Sequence, residues 1–146
     1  MKASTLSPTN AVQYSQLLRE YGLPLTGLLT STKCFEFRDD QSTVVGFAGL
    51  QQVGVHALLR SLVVFPARQK AGFGSAIVTW TMSFASSNRI SRLFALTTNS
   101  QPFFRKYGFQ TIDRATVPQS FRGLSEFCES CCSSAYVMKR DLIRTA

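Results

Sequence analysis

Between Gln41 and Ile112 this 146-residue chain has no aspartate and no glutamate. All eight acidic residues lie outside that window, which holds seven cations: Arg60, Arg68, Lys70, Arg89, Arg92, Arg105 and Lys106. A field of one sign attracts polyanions and offers a polycationic ligand nothing to pair with. Histidine is nearly missing too. His56 stands alone, and Cys128, Cys131 and Cys132 have no second cysteine pair, so the four ligands of a structural zinc site are not available and no metal is expected. Four cysteines also fall short of a disulfide framework and read as buried hydrophobes or surface thiols. No apolar run reaches the roughly 18–20 residues of a membrane span, and Met1-Lys2-Ala3-Ser4-Thr5 is not followed by a signal-peptide core. The expectation is one cytoplasmic domain over residues 1–146, large enough to bury a core unaided, with no membrane partner. Nucleic acid is the rival polyanion for a net charge of +8. However, the chain has no groove-reading module and no aromatic platform on a strand, so none is expected.

What the chain does have is concentrated in Leu62–Ala76. An apolar, β-rich run ends at Phe65-Pro66. A basic, glycine-spaced loop, Arg68-Gln69-Lys70-Ala71-Gly72-Phe73-Gly74-Ser75, then opens into an amphipathic helix. Such a turn aims several backbone N–H groups and the positive end of a helix dipole at one place, which suits a pyrophosphate. The bland alternative is a strand-to-helix turn in which glycine relieves crowding. Two other phosphate signatures are excluded. There is no Gly-Lys-Ser/Thr, and no third glycine with an acidic residue about 20 positions on.

Hydrophobic periodicity gives the frame. Met1–Thr5 reads as a short strand. Tyr14, Leu17, Leu18 and Tyr21 recur at i, i+3, i+4 and i+7 and predict a helix over Asn10–Tyr21, ended by Gly22 and Pro24. Leu23–Thr32 holds a loop or helical turn in a substrate-facing position. Strands are predicted at Cys34–Arg38, Thr43–Gln51 and Ala57–Val64, joined by short turns into an antiparallel meander. A helix over Gly74–Ser87 follows, then a strand over Arg92–Thr98, a short helix over Gln101–Tyr107 and a strand around Phe109–Asp113. A helical turn runs from Val117 through Phe127, and Ala135–Lys139 forms the last strand. The unit Ala57–Thr98 requires a parallel, right-handed crossover. The fold class is therefore α/β, a mixed sheet covered by helices.

Three motifs at consistent spacing carry a family resemblance. The first is Gln69-x-x-Gly72-x-Gly74 after a strand. The second is Leu59-Arg60-Ser61-Leu62-Val63-Val64-x-Pro66. The third is Phe103-Phe104-Arg105-Lys106-Tyr107-Gly108-Phe109. Together they resemble the Gcn5-related N-acetyltransferase (GNAT) superfamily. The run Leu96-Thr97-Thr98, Val117-Pro118 to Arg122, Glu126-Phe127-Cys128 and Ser133–Leu142 is similar to the small acetyltransferases of arsenic-resistance gene clusters.

The resemblance implies a splayed mixed sheet and an acetyl-CoA co-substrate wedged where the sheet parts. It assigns Leu62, Val63 and Val64 to the backbone pairing of pantetheine, and Gln69, Lys70, Gly72, Phe73, Gly74 and Ser75 to the pyrophosphate, with Arg68 adding charge. Asn99, Phe104 and Arg105 fall along the thiol arm or the adenosine side. It implies transfer of acetyl to the amine of a small-molecule acceptor, in arsenic or xenobiotic resistance. The superfamily's usual leaving-group acid is a tyrosine at the place held here by Phe104, which has no proton to give. Tyr107 is the substitute acid, and Glu126, a water chain or an already neutral amine the substitute for a base. Arg60, on the strand before the loop, and Arg122 are the candidates to grip an acceptor carboxylate through a bidentate fork. A surface arginine is the alternative for Arg60. Cys128, Cys131 and Cys132 are soft ligands for an arsenical. A homodimer, a protein or polyamine acceptor and a non-catalytic acyl-CoA sensor stay open.

Overall fold

The computed structural model describes residues 1–22, 32–122 and 135–142, the side chains of residues 120 and 122 excepted. Part of the Leu23–Thr32 segment, the turn beyond Arg122, Glu126 and the three clustered cysteines lie outside them.

Strand β1 (Lys2–Thr5) leads into helix α1 (Pro8–Glu20). The Ser7 hydroxyl accepts from the Asn10 N–H at 3.3 Å and Pro8 opens the first turn, so the helix begins two residues before the expected Asn10. Gly22, at φ +67°, follows its end. Strands β2 (Lys33–Arg38), β3 (Val44–Val53) and β4 (His56–Val64) form the predicted meander, each one residue longer than the periodicity indicated. A 3-10 turn (Pro66–Arg68) and helix α2 (Phe73–Ser87) lead to β5 (Arg92–Thr97), which pairs with β4 in parallel as the crossover rule requires. After α3 (Gln101–Arg105) come β6 (Gln110–Ile112), a second 3-10 turn (Arg114–Thr116), α4 (Gln119–Arg122) and β7 (Tyr136–Asp141).

The seven strands lie in the order β1-β2-β3-β4-β5-β7-β6. Thus β7 inserts between β5 and β6, pairing antiparallel with both. The mixed sheet flanked by helices is the expected fold class. Strand alternation divides its core. On one face Phe37, Val45, Leu50, Leu59, Ile77, Val78 and Phe104 pack with α2 and α3. On the other, Tyr14, Leu17, Leu18, Phe47 and Val63 anchor α1, while Leu58, Phe94, Phe121 and Val137 anchor α4. Each such side chain, fully buried, contributes about 1.5–3 kcal/mol.

Two irregularities shape the site. Between the pairs Phe47↔Val63 and Gly49↔Arg60, one residue of β3 faces two of β4, and Ser61 sits at φ +59°. This is a β-bulge, and it bends β4. In addition, β4 and β5 pair only from His56↔Arg92 to Leu59↔Ala95, although both strands run further. Beyond that point they part.

Candidate active site

The parting strands open a cleft of about 490 Å³. Its walls are the bent end of β4 from Leu59 to Val64, the end of β5 with Thr98, Asn99 and Ser100, and Phe103 and Phe104 of α3. Tyr21 and Gly22 close it from the end of α1. A second cavity of about 520 Å³ lies over the glycine loop and shares Leu62, Val64, Gln69, Ser100 and Phe103 with the first. The result is a two-lobed groove along the edge of β4.

The loop lobe is lined by Arg68, Gln69, Lys70, Gly72, Gly74 and Ser75. Lys70 adopts φ +65° and Gly72 φ +87°, which turns the chain sharply into α2. The N-cap residue, Gly72, has no side chain with which to satisfy the first N–H groups of that helix, and an anionic ligand can do so. A Cβ on Gly74 would stand 3.7 Å from the Phe103 ring, so α3 lies against the loop at ordinary contact distance. Arg68 departs from expectation. Its guanidinium pairs with Asp39 at 2.9 Å, so its charge is directed to the β2–β3 hairpin. The N–H of Thr43, followed by that of Gln41 and the Arg68 cation, holds the Asp39 carboxyl below its ordinary range.

The cleft gathers many of the candidates. Leu62, Val63, Val64, Asn99 and Phe104 line it, and Phe104 is nearly buried between Phe103 and Phe109. Arg60 lines it as well. It is only 2% exposed, donating from Nη1 to Gln51 Oε1 at 3.4 Å and from Nε to Ser61 Oγ at 3.3 Å. The alternative of a surface arginine is therefore overturned. Gly49, beside Arg60 in register, lets it lie close, because a Cβ there would meet Thr32 and Arg60. The nearby Cys34 thiol is pushed up to about 11 by burial, against a smaller opposing effect of Arg60, and is protonated at neutral pH.

Other candidates do not reach the groove. Phe73 packs into the core, Arg105 is exposed and reaches back to Gln101 at 3.4 Å, and Tyr107 rests against the Phe103 ring with centroids 5.4 Å apart. Arg122 ends α4, with its side chain outside the described set, as is Glu126. Conversely, the periodicity reading assigned Tyr21 to the apolar helix stripe and gave no role to Ser61, Ser100 or Phe103. The signal for Tyr21 was present: it is the last residue of that stripe, directly before the glycine that ends the helix.

Residues 31–111 match the family model described as "Acetyltransferase (GNAT) domain". The chain belongs to the GNAT acetyltransferase family, whose enzymes use acetyl-CoA as co-substrate. Over 61 residues it is 38% identical to proteins named "Amino-acid acetyltransferase" from Neisseria meningitidis serogroups A and B, a match covering 42% of this chain. It spans only 14% of the length of those curated relatives. Among solved structures, N-acetylglutamate synthase from Neisseria gonorrhoeae, complexed with coenzyme A and N-acetyl-glutamate, superposes with a TM-score of 0.80 at 22% identity, over 98% of this chain and 35% of that one. Rv2747 from Mycobacterium tuberculosis, in complex with CoA and NLQ, gives 0.81 at 21% identity over 98% and 100%. Tetrahymena GCN5 gives 0.75 at 15% identity over 100% and 99%. At these identities the superpositions establish the fold. No helix among the described residues is long and apolar enough to cross a membrane.

Proposed function

We propose that this chain transfers the acetyl group of acetyl-CoA to the amine of a small, amino-acid-like molecule. The observation that carries the reading is the parting of β4 from β5 beyond Leu59 and Ala95, next to a helix whose N-cap is a glycine. Parted strands leave main-chain N–H and C=O groups that need partners, and the amides of a pantetheine arm are such partners. Leu62, Val63 and Val64 would hold that arm, with Asn99 and Phe104 flanking it. Gln69, Lys70, Gly72, Gly74 and Ser75 would hold the pyrophosphate. Bound acetyl-CoA supplies the acetyl group as a thioester.

The chain's own contribution is to bring the amine into line and to place a main-chain donor, our candidate being an N–H in the bulged segment near Val64, where negative charge develops. Arg60 would grip an acceptor carboxylate, with Arg122 as a second candidate. The names of the meningococcal relatives, and the neighbours bound to N-acetyl-glutamate or L-arginine, support an amino-acid acceptor. Arg60→Met keeps most of the side-chain volume and removes the fork. It should raise KM for carboxylate-bearing amines far more than for simple amines, and an equal effect on both would remove the assignment. The tail motif extends the proposal to arsenic resistance, with Cys128, Cys131 and Cys132 on an arsenical. Unchanged arsenical turnover by a triple Cys→Ser variant would end that extension.

Phe104 favours a second reading, an acyl-CoA sensor, since the place of the usual acid has no proton. A thermal-shift titration with acetyl-CoA followed by thiol-release assays on an amine panel separates the two. Stabilisation with turnover supports the enzyme, and stabilisation without turnover supports the sensor.

A further inference from the structure

Tyr21 ends the stripe Tyr14, Leu17, Leu18, Tyr21 on α1. The first three are buried, whereas Tyr21 is 44% exposed. The stripe runs past the core and its last member lies over the groove. The amide nitrogen Nε2 of Gln69 stands 3.0 Å from the Tyr21 hydroxyl and 3.1 Å from the carbonyl oxygen of Val64. A carbonyl only accepts, so the Gln69 atom between them must be its NH₂ group, which only donates. The Tyr21 oxygen is therefore an acceptor in this contact and keeps its own proton. No described residue takes that proton. Gln69 lines both lobes of the groove, and Tyr21 and Val64 line the cleft. The bridge thus stands where the lobes meet, linking the end of α1 to the parted edge of β4.

We propose that Tyr21 is a cofactor-positioning residue: with Gln69 it forms a clasp over the groove, and its hydroxyl proton is donated to an oxygen of the amide-bearing arm of coenzyme A. The inference rests on the cofactor reading above and adds a contact from α1, outside the glycine loop and β4. Tyr14 supports it from two turns earlier, because its bond to the bulge fixes how α1 lies over the sheet.

The test compares two probes, coenzyme A and adenosine 3′,5′-bisphosphate, which has the nucleotide end but no arm. Y21F should weaken coenzyme A about three- to tenfold, the usual worth of one hydrogen bond, and leave the bisphosphate unchanged. In a Q69A background the Y21F effect should shrink, since the clasp has already lost its tie. Thermal unfolding without ligand should be the same for wild type, Y21F and Y21A, which excludes a folding defect at this exposed helix end. Equal weakening of both probes by Y21F, or of neither, overturns the clasp. Absence of coenzyme A binding by the wild type would instead overturn the cofactor reading, a separately recognisable result.

Discussion

The Tyr14 hydroxyl donates to the carbonyl oxygen of Ser61 at 2.7 Å, joining the middle of α1 to the bulge of β4. The contact is buried, and Ser61 is held at φ +59°, a conformation that a serine rarely adopts. The bond thus stabilises the irregularity that bends β4 away from β5.

Tyr14→Phe tests this relationship. The ring and its stacking on Phe47 remain, but the buried Ser61 carbonyl loses this donor. A stability loss of about 1–3 kcal/mol is expected in urea unfolding at an unchanged m-value, together with weaker coenzyme A binding. Wild-type values in both measurements would show that the bulge does not depend on Tyr14.

Gly74 and Gly72 should separate binding from folding. A Cβ on Gly74 meets only the Phe103 ring at 3.7 Å, an ordinary contact, so Gly74→Ala should melt like the wild type. The added methyl narrows the loop lobe, and an overpacking cost of about 1–3 kcal/mol corresponds to a loss of coenzyme A affinity of about five- to 150-fold by titration calorimetry. Gly72, at φ +87°, has open space around it but an unfavourable backbone for any other residue. Gly72→Ala should cost about 1–2 kcal/mol of stability.

Gly108 is expected to resist substitution because of its backbone. It adopts φ +82°, whereas the Arg140 guanidinium that occupies the space of a Cβ is the end of a flexible side chain and can move aside. Gly108→Ala should therefore lower the melting temperature, at a cost of about 1–2 kcal/mol of stability. An unchanged melting temperature would show that the backbone conformation costs nothing.

His56 predicts a pH dependence. Burial against Phe94 and Phe121, then the Arg92 cation, lowers its pKa below the ordinary value of 6.5, with Asp141 opposing. As pH falls below about 6.5 the unfolded chain takes up a proton that the folded chain does not, and stability declines until the lowered folded pKa is passed. Its contribution is thus present above the unfolded pKa and lost through that window. Chemical denaturation at pH 7.5 and 5.5 should show the decline, and His56→Gln should flatten it. An equal slope in the variant would assign the decline to other groups.

The elements of this chain were legible because their signals are local. The i, i+3, i+4, i+7 stripe of α1, the turn residues Asp39–Ser42 and Gly54, and the glycine-spaced entry to α2 act through neighbours a few residues apart. The groove-lining residues Leu62, Val63, Val64, Gln69, Lys70, Gly72, Gly74 and Ser75 could be read for the same reason, while Phe73 packs against the core instead. Which side chains around α3 face the cleft was not legible, because the helix is too short for periodicity to show it.

By itself the sequence determined the α/β class, the parallel crossover and the place of the cationic, glycine-rich turn, since each follows from near-neighbour patterning and chain connectivity. Only the tertiary structure decided that β7 enters between β5 and β6, that Asp39 takes the charge of Arg68, that Arg60 is buried, and that Tyr21 reaches Gln69. Those outcomes depend on contacts such as the 48-residue separation of Tyr21 and Gln69, which no local propensity encodes and which the packing of whole elements brings into being.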